Sequence, residues 1–180
     1  MRILVAGIAS MLLSACNSSP EGAVKQAEAT GNAAGAAATK AGQPSAAAPL
    51  AKDEALALMK RRHENFEEIG DAMKLISREL KAESPDLARM RTGAAKINEL
   101  APQVPSWFPP GTGPDVGKTE AKAEIWQKSE DFAAKAQAFR EAATAFNTAA
   151  QGSDLAAIQP ALVNLGKSCK ACHDLYREEE

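Results

Sequence analysis

Near the end of the chain, two thiols and an imidazole stand in the order Cys169-Lys170-Ala171-Cys172-His173. On a helix, residues three apart share a face, so both sulfurs can meet one edge of a flat ring. Thiols so placed can add across two vinyl groups and form thioethers. The next residue, His173, then projects toward the ring's centre, and neutral imidazole is a common axial ligand of haem iron. The spacing therefore predicts one covalent haem c, attached at Cys169 and Cys172, with its iron held by His173. Two other chemistries use paired cysteines. A thioredoxin-like dithiol needs a preceding strand and sheet, for which this sequence has few β-branched residues. Zinc needs a fourth ligand, and the only other histidine is His63.

A second group of interest lies far upstream. Met59, Arg62, Phe66, Ile69, Met73, Ile76 and Leu80 recur at steps of three and four, the seam of a helix. An arginine on such a seam needs an anionic partner or must extend to water. Haem brings two propionates, and guanidinium binds carboxylate bidentately. Phe66 follows Arg62 by one turn, about 6 Å in rise. If Arg62 meets the propionate edge, Phe66 lies over the ring; as ordinary core it would pack there equally well.

Three further seams complete the set that must position these residues. They run Leu87 to Ala101, Ile125 to Ala150, and Leu155 to Tyr176. Spacing of this kind suits helices packed nearly parallel to a partner. Ser84 with Pro85 predicts the start of the second helix, and Thr119 with Glu120 the start of the third. Pro160 predicts a kink in the fourth helix, or its start near Gln159. Two short connections make neighbours antiparallel. The third connection, Pro102 to Lys118, is long and carries Trp107 and Phe108, which implies an apolar surface to be covered. The expected fold is all-α: an up-down-up-down four-helix bundle over residues 50–180, with a C-terminal CxxCH.

The net charge of −2 gives no basic surface for nucleic acid. Residues 1–15 read as a signal peptide, with Arg2 followed by an apolar run too short to span a bilayer. The run ends in Leu13-Ser14-Ala15-Cys16, which resembles a bacterial lipobox and predicts lipid attachment at Cys16. Residues 16–49 are Ala, Gly, Ser, Thr and Pro with almost no large apolar side chain, and read as a disordered tether. The protein is thus expected in the bacterial periplasm, anchored to a membrane. Asn17 leans toward the outer one.

Taken together, the sequence resembles the cytochrome c' family of exported four-helix haem proteins. The resemblance rests on Gly166-Lys-Ser-Cys-Lys-Ala-Cys-His-Asp-Leu-Tyr-Arg177, on the spacing of Arg62, Phe66, Gly70 and Met73, and on Trp107-Phe-Pro-Pro-Gly-Thr-Gly and Glu124-Ile-Trp126. It implies that Arg62 binds a propionate, that Phe66 takes the distal position above the iron, and that Arg177 is the proximal arginine near His173. His63 stands where a glutamine is common and keeps a propionate contact open. Phe66 cannot coordinate, which implies five-coordinate high-spin iron that binds NO and CO and can pass one electron. The alternative is a low-spin electron carrier with Met59, Met73 or His63 as sixth ligand, serving redox partner proteins. An enzyme is not expected. A homodimer through Leu56, Ala72 and Leu75 is open.

Overall fold

The computed structural model describes residues 50–179. The expected signal peptide, lipidated Cys16 and tether lie outside the described residues. Helix α1 spans Lys52–Glu79 and buries Ala55 with Met59, Arg62, Ile69 and Ile76 of the predicted seam, while Phe66, Met73 and Leu80 are half-buried. Asp53 and Glu54 in its first turn complement the positive end of the helix dipole.

Helix α2 spans Leu87–Leu100. Its cap is Asp86 rather than the expected Ser84: the Asp86 carboxylate accepts from the amides of Ala88 and Arg89 at 2.9 and 3.1 Å. Pro85 lies just before the cap, and Asp86 is extended, as an N-cap must be. A 3-10 stretch, Ala101–Trp107, continues the chain and buries Ala101 and Val104.

The third predicted helix begins later than Thr119 and Glu120 suggest. A single turn, α3, covers Glu124–Gln127; the chain breaks at Lys128, and α4 runs Ser129–Gln151. The residues before it pair elsewhere. The amide of Lys122 donates to the carbonyl of Tyr176 at 3.0 Å, and the carbonyl of Glu120 accepts from Glu178 at 2.7 Å. Backbone groups used this way cannot also serve a helix.

Helix α5 spans Leu155–Tyr176 and is capped by Asp154, so it starts before Gln159 and carries Pro160 inside its second turn. Pro160 forfeits only a bond to the carbonyl of Ala156, close to the helix start and exposed.

Helix α1 packs on α2, α2 on α4, and α4 on α5. Arg91, early in α2, donates to Ala150, late in α4, and Thr144 reaches Asn98, so these two run antiparallel. Ile76, Met90, Ile97, Phe146, Ile158 and Leu165 are fully enclosed. The ring of helices is not closed by direct packing: no Cα of α1 lies within 8 Å of one in α5. Of the residues considered for a dimer contact, Ala72 packs on the chain's own core and Leu75 leans toward Gly93 of α2. Leu56 is 38% exposed.

Candidate haem site

The two unjoined helices carry the two halves of the predicted site. On α5, Cys169 and Cys172 are free, half-buried thiols that pack against the core. Burial pushes the Cys169 thiol up; burial, then the neighbouring Cys169, pushes Cys172 up to about 11. Both are therefore neutral at pH 7, which disfavours a thiolate-driven redox pair. Among the described residues no group of three or more His, Cys, Asp or Glu side chains is placed to hold a metal ion.

His173 is at the surface, at the edge of a 310 Å³ cleft lined also by Asp174, Arg177, Glu178 and Glu179. Partial burial, then the Arg177 charge, lowers its pKa, with Asp174 and Glu120 opposing. The imidazole is thus neutral at pH 7, the form that ligates iron.

On α1, Arg62 is 4% exposed. It does not extend to water. Its Nη1 donates to the carbonyl of Trp107 at 3.4 Å and to Thr112 Oγ1 at 3.2 Å. Its Nη2 donates to the carbonyl of Thr112 at 3.1 Å and to Thr119 Oγ1 at 2.9 Å. These bonds use four of the five guanidinium N–H groups and leave Nε–H. Bidentate carboxylate binding by the two terminal nitrogens is therefore not prepared. No partner is anionic, and desolvation lowers the guanidinium pKa to about 10. A buried cation held only by neutral acceptors suits an anion arriving at its edge.

Phe66 is half-buried and meets the long connection, as the apolar residues there implied. Its ring stands edge-on to Trp107 at 5.1 Å between centroids and tilted to Phe108 at 6.1 Å. The series continues through Phe108 and Phe132 at 4.8 Å to Phe132 and Tyr176 at 5.4 Å. Aromatic rings thus reach from α1 to α5. Gly70 and Gly166 have open space where a Cβ would stand. Met59 is buried beside Gly117, and Met73 packs on the core. His63 is exposed and faces Glu67 at 3.4 Å. It does not join Arg62 and Phe66.

Sequence reading missed several contributors. Thr112 is wholly buried, although it sits in a Pro/Gly-rich loop where threonine looks solvated. Tyr176 donates to Asp131 at 2.5 Å, a pairing across α5 and α4 with no local signature. Glu120 accepts from Arg177 Nε at 2.7 Å.

The donor set fits a covalent haem: two core-facing thiols, a neutral imidazole beside them, and a buried arginine without an anion on the opposite helix. The fold and these residues define a helical-bundle haem protein. A family model described as Cytochrome C' matches residues 57–177, and the chain belongs to that family. It is 37% identical to a cytochrome c' from Pararhodospirillum photometricum over 122 residues, which is 68% of this chain and 97% of that protein. A solved cytochrome c prime from Shewanella frigidimarina superposes with TM-score 0.65 at 36% identity, covering 71% of this chain and 98% of that one. A nitric oxide complex of a cytochrome c prime variant from Alcaligenes xylosoxidans matches with TM-score 0.62 at 27% identity, covering 73% and 99%. The cofactor of the family is covalent haem c with its iron, and this chain is accordingly a haem c protein.

Proposed function

We infer that this chain is an exported, non-enzymatic binder of NO and CO, with haem c attached at Cys169 and Cys172 and its iron ligated by His173. When bound, the haem supplies an iron with one position open to small neutral ligands and a one-electron couple. The observation that carries this reading is Phe66 of α1, held edge-on by Trp107. Phenylalanine has no lone pair to offer, so the distal wall excludes water without coordinating. An apolar wall lacking a hydrogen-bond donor favours neutral diatomics over polar bound oxygen. The neutral imidazole of His173 would supply the iron's protein ligand. Arg62, whose Nε–H is left over from its four bonds, would meet a propionate, and Arg177 would act beside His173. The nitric oxide complex solved for the Alcaligenes xylosoxidans relative supports the same ligand class here. Export places the protein in the bacterial periplasm, with Cys16 as its lipid anchor.

Absorption and magnetic spectra of the purified protein test this reading. High-spin iron in both redox states at neutral pH is expected. Low-spin iron in both states would overturn it in favour of an electron carrier with a sixth ligand from Met59, Met73 or His63.

A further inference from the structure

The segment Thr119–Lys122, expected to open a helix, touches both helices of the site. Thr119 Oγ1 accepts from Arg62 Nη2 at 2.9 Å and from the amide of Ala121 at 3.2 Å. The next residue, Glu120, accepts from Arg177 Nε at 2.7 Å through its carboxylate and from the Glu178 amide at 2.7 Å through its carbonyl. Lys122 bonds the carbonyl of Tyr176, and the amide of Arg177 bonds the carbonyl of His173 at 3.0 Å. Hydrogen bonds and a single peptide link therefore run from Arg62 to the turn that bears His173.

The parts of this path differ in strength. The Arg177–Glu120 pair is partly exposed on both sides, and such a pair alone contributes little. The two backbone bonds to Tyr176 and Glu178 fix the segment more firmly, because they occupy groups that would otherwise be unpaired. At the other end the bond to Thr119 is the shortest of the four that Arg62 makes.

Resting on the reading that His173 holds the iron, the geometry points to Thr119 and Glu120 as a pair of positioning residues. Thr119 sets the guanidinium on the Phe66 side and Glu120 the guanidinium on the His173 side. The peptide bond between them makes the two settings interdependent. An anion that meets Arg62 at Nε–H pulls on the same guanidinium that Thr119 holds at Nη2, and a shift of Thr119 carries Glu120 with it.

The test uses the ferrous haem protein without added gas. Resonance Raman reads the iron–imidazole stretch, and hydrogen exchange reads the amides of Lys122 and Glu178. Thr119→Val removes no charge and does not touch His173. It is expected to shift the stretch and to speed exchange at both amides about tenfold, the worth of roughly one hydrogen bond. Thr119→Ser, which keeps the hydroxyl, should match the native protein. Glu120→Gln should shift the stretch as well, and Glu120→Asp should restore part of it. If Thr119→Val does not fold, Glu120→Gln carries the test by the same two readouts. An unchanged stretch and unchanged exchange in a folded, haem-loaded variant would overturn the inference. Faster exchange in a protein that shows no iron–imidazole band would instead remove His173 as ligand and leave the positioning by Thr119 and Glu120 standing.

Discussion

The Arg62 guanidinium lies over the face of Phe108, its central carbon 4.6 Å from the ring centre. The same arginine bonds the carbonyls of Trp107 and Thr112 on either side of that ring. It thus pins the long connection down onto Phe66. Arg62→Leu would leave those buried acceptors unpaired and is expected to cost about 3 kcal/mol. Denaturant unfolding measures the loss, and limited proteolysis should show new cleavage between residues 107 and 119. Arg62→Lys, which has fewer donors and no planar fork, should recover only part of the stability.

Cys169→Ala with Cys172→Ala is expected to abolish covalent haem. Haem staining after denaturing electrophoresis checks this directly. A stained band from the double variant would refute the attachment site.

Phe66→Ala should open the distal wall, speed CO association, and cost about 3 kcal/mol, the low end for a phenylalanine truncation because the ring is only half-buried. Phe66→Met places a thioether at the same position and should move the iron toward low spin. An unchanged CO on-rate in a folded Phe66→Ala protein would show that other residues form the distal wall.

These expectations draw on two kinds of sequence signal. The seam Phe132, Ala136, Phe139, Ala143, Phe146, Ala150 was legible because helical period and burial report the same face. The placement of Cys169 and Cys172 toward the core was legible for the same reason. Arg62 was recognisable as an unusual seam residue, but its partners lie 45, 50 and 57 residues away in a connection with no period. Thr119 and Glu120 have the side chains of a helix opening. What overrides that preference is a pairing with Tyr176 and Glu178 that no local pattern announces. Ser84 was outcompeted by Asp86, whose carboxylate reaches two amides at once.

Tyr176 is the chain's single tyrosine, so its titration can be followed without overlap. Burial, then its bond to Asp131, raises its pKa to about 12. The neutral phenol is the form the fold prefers. Its contribution to stability is whole below the ordinary tyrosine value near 10 and is lost as pH rises through about 12. Carbon NMR of labelled tyrosine should show no phenolate at pH 10.5. Asp131→Asn should bring the midpoint down toward 10.

Cys16→Ser should release the protein from the membrane fraction while leaving the haem spectrum unchanged. Mass spectrometry of the native N-terminus checks the lipid. A mature, unlipidated chain beginning beyond residue 16 would refute the anchor.

That α1 and α5 do not pack directly on each other has a consequence for how stability responds to dilution. A loosely held group filling that side would stabilise the fold only in proportion to its free concentration, and would fail at low supply. A group joined through Cys169 and Cys172 stays at fixed effective concentration, like a ligand on a short linker. A wall completed in this way would behave as part of the polypeptide, and the unfolding midpoint of the monomer should not change when the protein is diluted.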